Sequence, residues 1–365
     1  MTHSTDHHWM ARALRLAERG LFTTDPNPRV GCVLVKNGRI VGEGWHRKAG
    51  GPHAEIEALK AAGTHPRGAD CYVTLEPCCH HGRTPPCTDA LIKAGIKRVI
   101  AAMIDPNPQV AGNGLQKLQE TGIETASGIL TGEAELLNRG FCKRMRDGRP
   151  WVTSKLAASL DGRTALASGE SRWITSNAAR RDVHRIRARS SAIITGIDTV
   201  LADNPALTAR LEPEIEVVQP IRVVVDSKLR MPMDAKMLRL PGETWIATVA
   251  NDKDKRQALE QRGAKVLVLP DDGQGRVDLR QLMDHLGDRQ INEVLIEAGP
   301  RLNGALLSQG LVDEWLLYLA PKLLGDSARG LFHLPGIESM TDSIGLSMTD
   351  IRLIGPDLRI HFHQG

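Results

Sequence analysis

The feature that most constrains the fold of this chain is a histidine and two cysteines placed to hold one metal ion. His53 stands two residues before Glu55, Cys78 follows Pro77, and eight further residues separate Cys78 from Cys87. One His and two Cys leave the fourth position of a tetrahedral zinc ion for water, as catalytic zinc sites require. Zinc lowers the pKa of such a water towards ~7, and Glu55 can carry its proton to a leaving amine. The pattern therefore predicts a fold that brings these distant segments together around an activated water.

The order of these residues is typical of zinc-dependent nucleobase deaminases, which carry H-x-E followed by P-C and a further Cys. Most such deaminases have two residues between the cysteines, whereas this chain has eight. The insert contains Cys79, His80 and His81, which leaves a second metal site open as an alternative. A structural Cys/His zinc site is a further alternative, although it would give Glu55 no role.

The length and composition indicate an ordinary globular protein. A chain of 365 residues predicts two domains, and 41% hydrophobic residues suffice for their cores. A formal charge of +4 suits an anionic small molecule better than a nucleic-acid surface. The first residues contain no apolar signal core, and no apolar run is long enough to span a bilayer. Six cysteines without the spacing of a disulfide framework favour a reducing cytoplasm.

Hydrophobic periodicity predicts an α/β architecture in both halves. In the first half, Asn37-Gly38 joins two strand-like segments, 30–35 and 40–45, as a hairpin. A helix over 55–62 and then alternating strands and helices to residue 121 complete an α/β sandwich, with the zinc at strand-to-helix junctions. A second α/β unit with seven predicted strands begins near Pro150. We therefore expect domains at 1–148 and 149–365.

The second unit contains weaker signals of nucleotide binding. Glu297-Ala298-Gly299-Pro300 follows an apolar strand and precedes a helix. Such a turn can cradle phosphate on free backbone N–H groups, but it can equally be a tight structural turn. The basic run over 180–189 is either a solvated helix face or part of a phosphate site. Pattern alone indicates a second α/β domain able to bind a nucleotide.

The two halves together resemble the bifunctional riboflavin-biosynthesis deaminase–reductases, the RibD/RibG family. The resemblance covers essentially the whole chain and rests on residues 24–31, 53–55, 74–78, 82–87, 105–108, 155–163, 168–175, 199–205 and 297–300. The insert between the cysteines matches this family, while Cys79 departs from its commoner Ser. The resemblance implies a cytidine-deaminase-like α/β/α sandwich over 1–148 and a dihydrofolate-reductase-like α/β domain over 149–365.

The resemblance also implies two consecutive reactions. The first domain would deaminate 2,5-diamino-6-ribosylamino-4(3H)-pyrimidinone 5′-phosphate. The second would reduce the ribosyl group of 5-amino-6-(5-phosphoribosylamino)uracil to a ribityl chain with NADPH. The implied cofactors are one zinc ion per chain and NADPH. The implied partners are the pyrimidine ribotide and a second copy of the chain, a homo-oligomer with a dimer favoured, without nucleic acid or membrane.

Two other functions fit the sequence less well than this resemblance does. An RNA-editing nucleobase deaminase with an appended binding domain would need a basic surface with stacking aromatic residues, yet aromatics form only 3% of the chain. A nucleotide-sensing protein with a relict zinc site would not need the complete ligand set or Glu55.

The predicted site residues fall into four groups. The metal ligands are His53, Cys78 and Cys87, and the catalytic acid–base group is Glu55. By resemblance, the nucleotide contacts are Ala157, Trp173, Thr199, Asp203, Ser227, Gly299, Pro300, Arg301, Leu302, Asn303, Gly304 and Ala305. The substrate contacts in the second domain are Ser171, Arg187, Leu207, Arg210 and Glu297, with Lys155 as a group that assists opening of the ribose ring. In the first domain, Asn27, His46 and Arg83 are candidates for contacts to base, ribose and phosphate. Leu207 can also be a core residue, Arg210 a surface residue and His46 a plain hairpin-end residue.

Overall fold

The computed structural model describes residues 2–80, 85–212 and 215–364. The chain divides into two compact units, residues 1–148 and residues 149–365. The first unit contains the helices α1 (Thr2–Ala17), α2 (Ala54–Ala62), α3 (Cys87–Ala94), α4 (Asn113–Glu120), α5 (Thr131–Leu137) and α6 (Arg139–Asp147). Its strands are β1 (Gly31–Lys36), β2 (Arg39–Trp45), β3 (Asp70–Val73), β4 (Arg98–Ala101) and β5 (Glu124–Ser127).

The five strands of the first unit form one mixed sheet in the order β2-β1-β3-β4-β5. β1 runs antiparallel to β2 and β3, whereas β3, β4 and β5 are parallel. The β1–β2 turn places Asn37 and Gly38 at φ 52° and 70°. Asn and Gly tolerate such positive φ angles best, which explains why this pair forms the predicted hairpin.

Helices cover both faces of this sheet. Alternate side chains of β1 point to opposite faces, so Cys32 and Leu34 pack with α2, α3 and α4. Val33 and Val35 pack instead with α1, α5 and α6. The result is three layers, helix–sheet–helix, and the predicted α/β/α sandwich is confirmed.

The second unit is built on a nine-stranded sheet. The strands of this unit, nine in the large sheet and two in a separate pair, are β6 (Trp151–Ser159), β7 (Arg163–Ala165), β8 (Ala192–Gly196), β9 (Ile221–Val225), β10 (Thr244–Thr248), β11 (Ala264–Val268), β12 (Glu293–Ile296), β13 (Glu314–Ala320), β14 (Arg329–Gly330), β15 (Leu346–Ile354) and β16 (Asp357–Gln364). Its helices are α7 (Asn177–Arg189), α8 (Ile197–Asp203), α9 (Lys253–Glu260), α10 (Leu279–Asp288) and α11 (Pro300–Ser308).

The large sheet has the order β11-β10-β9-β8-β12-β6-β13-β16-β15, and β7 pairs with β14 separately. All its strands up to β13 are parallel, and the β15–β16 hairpin then adds two antiparallel strands. α10 and α11 pack on one face, and α7, α8 and α9 pack on the other. β12 lies between β8 and β6, so the strand order reverses there. Ligands bind beyond the carboxyl ends of parallel strands at such a reversal.

Several strands were not predicted from the sequence. β5 has the polar sequence Glu-Thr-Ala-Ser and gives no apolar signal, although it completes the first sheet. The β15–β16 hairpin was also missed, although apolar and polar residues alternate along 357–363 after Gly355. In the described part of the chain, no helix is long and apolar enough to cross a membrane.

Candidate active sites

The three predicted metal ligands lie together in the first unit. Nδ1 of His53 is 3.6 Å from Sγ of Cys78 and 3.3 Å from Sγ of Cys87. All ligand atoms of the set lie within 4.8 Å of one another. A tetrahedral zinc ion with ordinary bond lengths holds nitrogen and sulfur ligands about 3.5–3.8 Å apart. The donor chemistry and the spacing therefore fit zinc.

Two of the ligands stand at the start of a helix, and the third lies in the loop after a strand. His53 is the residue before α2, Cys87 begins α3, and Cys78 follows β3. The backbone N–H of Cys87 donates to Sγ of Cys78 over 3.3 Å. A hydrogen bond with the Cys87 side chain, joined by one from His53, lowers the pKa of the Cys78 thiol to about 4, which favours the thiolate that binds a metal.

The described part of the insert does not support a second metal site. Within the described residues, Cys79 and His80 do not belong to a group that could hold a metal ion. His81 and Arg83 lie outside the described residues.

Glu55 lies beside the metal ligands without joining them. It occupies the first turn of α2 and is 3% exposed. Burial raises the pKa of Glu55 to about 7, against the charge of His53. A buried carboxyl next to a metal set, with a pKa near neutrality, can both accept and return a proton.

Asn27 and His46 form a polar pair next to the metal ligands. Nδ1 of His46 lies 2.9 Å from the carbonyl oxygen of Pro52, so Nδ1 carries the proton. Nε2 therefore accepts a hydrogen bond from Nδ2 of Asn27 over 3.0 Å. The rings of His46 and His53 lie 5.5 Å apart. Both His46 nitrogens are engaged, so His46 fixes the Asn27 amide, which keeps acceptor and donor capacity for a ligand.

Two glycines in β2 let α2 approach the sheet closely. A Cβ at Gly44 would lie 2.4 Å from the carbonyl oxygen of Ala54 and 2.4 Å from the backbone nitrogen of Ala58. Gly42 faces Ala58 in the same way. The backbone of the helix that carries His53 and Glu55 therefore rests directly on this strand.

Replacement of Gly44 by Ala should displace α2 and impair the first site. We expect the unit to lose about 1–3 kcal/mol of unfolding free energy through overpacking. Deamination should fall further, because a shift of about 1 Å at a reacting group can cost 10²-fold. Gly132→Ala is the control, since a Cβ there meets no atom within 4 Å. Thermal unfolding and ammonia release measure both effects, and equal behaviour of the two variants would contradict this packing role.

The second unit contains a large cavity of about 2110 Å³. It opens where β6, β8, β9 and β12 end, at the reversal of strand order. Every predicted nucleotide and substrate residue of this unit lines it: Lys155, Ala157, Ser171, Trp173, Arg187, Thr199, Asp203, Leu207, Arg210, Ser227, Glu297 and residues 299–305. Leu207 is only 4% exposed and belongs to the core beneath the cavity, so its contribution to a ligand contact is small.

A charge cluster whose side chains are only 11–20% exposed lies on the wall of this cavity. Arg187 donates to both carboxylate oxygens of Glu297, over 2.5 and 2.9 Å, and to the carbonyl oxygen of Thr208 over 3.2 Å. Nζ of Lys155 lies 3.9 Å from Glu297. Burial would raise the pKa of Glu297, but Arg187 and then Lys155 lower it to about 2. Burial lowers the pKa of Lys155, which Glu297 partly opposes.

This geometry changes the interpretation of the two arginines. Arg187, predicted as a substrate contact, already donates to Glu297, so Arg187 mainly orients that carboxylate. Arg210 is exposed, and its Nη2 lies 3.3 Å from Nε2 of His184. Its guanidinium keeps more N–H donors for an anion.

Sequence analysis missed His184 as a cavity residue. It lines the cavity between Arg187 and Arg210. Burial, followed by the charges of Arg187 and Arg210, lowers the pKa of His184 to about 4, so the ring is neutral. The sequence signal for His184 is its position three residues before Arg187, which places both side chains on one face of a helix. The alternative of a solvated surface for this basic run hid that signal.

The turn into α11 is held by its own side chains. Asn303 accepts a hydrogen bond from Ser154 over 2.9 Å and donates to the carbonyl oxygen of Ala298 over 2.9 Å. A Cβ at Gly304 would lie 2.1 Å from the carbonyl oxygen of His333. Asn303 therefore holds the turn by its own side chain, and residues 299–305 of this turn and helix line the cavity.

Comparison with known proteins agrees with both sites. Residues 3–103 match the cytidine and deoxycytidylate deaminase zinc-binding region, and residues 150–360 match the RibD C-terminal domain. The chain is 55% identical to the riboflavin biosynthesis protein RibD of Escherichia coli (strain K12) over 98% of each chain. The chain belongs to the RibD family.

Solved RibD structures share the whole fold. RibD of Acinetobacter baumannii is 46% identical, with a TM-score of 0.93 and complete coverage of both chains. A diaminohydroxyphosphoribosylaminopyrimidine deaminase/5-amino-6-(5-phosphoribosylamino)uracil reductase of Thermotoga maritima is 32% identical, with a TM-score of 0.88 and complete coverage of both chains.

RibD membership decides between the functions considered above. The chain is a bifunctional enzyme of riboflavin biosynthesis, a deaminase joined to a reductase. Zinc in the deaminase and NADPH in the reductase are the cofactors of this family, as predicted. The RNA-editing alternative is not favoured, because the second domain is a RibD reductase domain rather than a nucleic-acid-binding module.

Proposed function

We propose that residues 1–148 deaminate 2,5-diamino-6-ribosylamino-4(3H)-pyrimidinone 5′-phosphate and that residues 149–365 reduce the product. The reduction converts the ribosyl group of 5-amino-6-(5-phosphoribosylamino)uracil to a ribityl chain. The observation that carries the first half is the close set of His53, Cys78 and Cys87 beside the buried Glu55. The Thermotoga maritima relative, whose name gives these two activities, supports the substrate assignment.

In the deaminase, one zinc ion per chain would be held by His53, Cys78 and Cys87 and would supply Lewis-acid activation of a water. Glu55 accepts a proton from the attacking water and passes it to the departing amine, which leaves as ammonia. Asn27, held by His46, orients the pyrimidine through its free amide atoms. Arg83, which lies outside the described residues, stays a candidate for the phosphate contact.

In the reductase, NADPH would lie along Ala157, Trp173, Thr199, Asp203, Ser227 and residues 299–305 and would supply the reducing equivalents. The free N–H groups at the start of α11 suit the cofactor's pyrophosphate. Ser227 follows β9 and is our candidate for contact with the 2′-phosphate, which would give the preference for NADPH over NADH. Its Oγ already accepts a hydrogen bond from the backbone of Val277 over 3.1 Å.

The charge cluster would act on the sugar at the other end of the cavity. Lys155, partly buried and next to Glu297, can protonate the ribose ring oxygen as the ring opens. Arg187 keeps Glu297 ionised, so that the carboxylate retains Lys155 in place. Ser171 lines the same cavity and can donate a hydrogen bond to the substrate.

Arg210 should bind the ribotide phosphate. Charge-assisted hydrogen bonds contribute ~1.5–3 kcal/mol, so Arg210→Ala should weaken the apparent affinity for the ribotide about ten- to hundredfold. The affinity for NADPH should not change. Arg185→Ala is the control, since Arg185 is an exposed arginine of α7 that does not line the large cavity. Steady-state NADPH oxidation and cofactor titration separate the two ligands, and a selective loss of NADPH affinity would refute this placement.

We further propose that the protein is a homodimer through β15, the last strand of the large sheet. Leu346, Met348, Ile351 and Leu353 are 45–72% exposed. Their pairing partners in β16 include Ile360 and Phe362, which pack in or against the hydrophobic core. These exposed side chains of β15 therefore lie on the same face of the sheet as that core. An exposed apolar edge strand of this kind invites pairing with a second copy.

Met348→Glu should convert the dimer to a monomer, because a carboxylate there would be buried in the interface. Val268→Glu, on the opposite edge strand β11, should leave the dimer intact. Light scattering at micromolar concentrations gives the mass directly. A monomeric unaltered protein, or dissociation by Val268→Glu alone, would contradict the assignment.

The cytoplasm is our proposed location, since all six cysteines are free.

Oxidation of NADPH that depends on the pyrimidine ribotide would test the whole proposal in one assay. Failure of the unaltered, zinc-loaded enzyme to oxidise NADPH with either the ribotide or its deaminated product would exclude it.

A further inference from the structure

Glu76, two residues before the metal ligand Cys78, makes an unusually complete set of hydrogen bonds. Its side chain is 3% exposed. One carboxylate oxygen accepts from the backbone N–H groups of Asp105 and Gly112, over 3.1 and 2.9 Å. The other accepts from those of Gly114 and Leu115, over 2.8 and 3.2 Å. A buried carboxylate with four N–H donors has both oxygens fully satisfied.

The donors belong to a segment far along the chain. Gly112 stands before α4 and has no side chain to cap the helix, so Glu76 takes the place of the missing cap. The carboxylate also suits the positive end of the helix dipole. Asp105 lies in the loop after β4, and Glu76 therefore fixes this loop and the first turn of α4 at once.

The start of α4 also contacts Pro77, the residue between Glu76 and Cys78. A Cβ at Gly114 would lie 2.1 Å from the carbonyl oxygen of Pro77. Cys78 follows directly, and its own carbonyl oxygen accepts from the N–H of Thr88 in α3 over 3.2 Å. The backbone around Cys78 is thus held by α4 on one side and α3 on the other.

We propose that Glu76 is a positioning residue of the metal centre, which fixes Cys78 by holding the loop after β4 and the start of α4 against Pro77. It touches neither the reacting atoms nor the metal ligands' donor atoms. Glu76 acts through the backbone, in contrast to Glu55, which acts on the water. The inference rests on the proposed function only for its effect on deamination, since zinc binding and backbone protection need no substrate.

Glu76→Gln tests the role with little change in shape. The amide keeps one oxygen for one pair of N–H groups and turns an NH₂ donor towards the other pair. We expect zinc affinity, measured by competition with a chelator on the full chain, to fall about ten- to hundredfold, as for other partners behind metal ligands. Deamination should fall mainly in kcat, whereas NADPH oxidation with the already deaminated product should be unchanged.

Asp6→Asn is the matched control for general destabilisation. Asp6 is also a buried carboxylate of the first unit, and it accepts from Tyr72 and Arg98 away from the metal ligands. We expect this variant to lower the unfolding temperature but to keep its zinc affinity. Equal loss of zinc affinity in both variants, or none in Glu76→Gln, would overturn the proposal.

A second measurement uses the unaltered chain, in case Glu76→Gln does not fold. If Glu76 couples the α4 segment to the metal centre, zinc removal must loosen the hydrogen bonds that it accepts, because coupling between sites is reciprocal. Amide hydrogen exchange at residues 105, 112, 114 and 115 should then accelerate at least tenfold more than at Tyr72 in β3. No selective acceleration would refute the coupling, even if deamination of the proposed substrate were established.

Discussion

Glu55→Gln is expected to lower the rate of deamination about 10²–10⁴-fold while the zinc ion stays bound. The amide keeps the size of the side chain but cannot accept the water proton. The effect should be confined to the first reaction, so reduction of the already deaminated product should proceed at the normal rate. Ammonia release, zinc analysis and NADPH oxidation report the three quantities on one preparation.

Glu57→Gln is the control for this variant. Glu57 lies on the same turn of α2, two residues further on, but pairs with Arg47 at 3.5 Å instead of joining the metal site. Deamination by Glu57→Gln should remain near normal. Near-normal ammonia release by Glu55→Gln would exclude Glu55 as the proton carrier.

Cys87→Ala is expected to remove most of the zinc and with it the deaminase activity. Zinc sites in small domains bind with about 10–16 kcal/mol, so one ligand of the set should account for roughly 10²–10⁴-fold in affinity. Cys79→Ala, one residue from a ligand but outside the metal group, should keep both zinc and activity. Full zinc in Cys87→Ala, or loss of zinc in Cys79→Ala, would show that the ligand set is wrong.

The candidate metal site was predictable because zinc deamination needs particular residue types in a fixed order along the chain. His53, Glu55, Cys78 and Cys87 each belong to residue types that few other roles require, so the set could be named without knowing the fold. The position of each at the end of a helix or strand also followed from hydrophobic periodicity. The three-layer sandwich, confirmed here, follows from the same alternation along β1.

Other parts of the sites depend on contacts that no local pattern encodes. Glu76 binds N–H groups nearly forty residues away in sequence, and a backbone donor has no side-chain identity to recognise. The pairing of Arg187 with Glu297 joins a helix to the end of a strand 110 residues later. Sequence alone therefore indicated a substrate contact for Arg187 and did not reveal its ion pair with Glu297. The strand β5 was missed for a different reason, since a short polar edge strand carries no hydrophobic period.

The most direct test of the account is to follow both reactions in one incubation. The unaltered enzyme, loaded with zinc, would be incubated with the pyrimidine ribotide and NADPH in heavy-oxygen water, and the products identified by mass spectrometry. We expect a product in which one amine has been replaced by heavy oxygen, followed by a second product that has also gained two hydrogens. A reduced product that still carries both amines, or no product with solvent oxygen, would contradict the assignment of deamination to the Glu55 site as the first step.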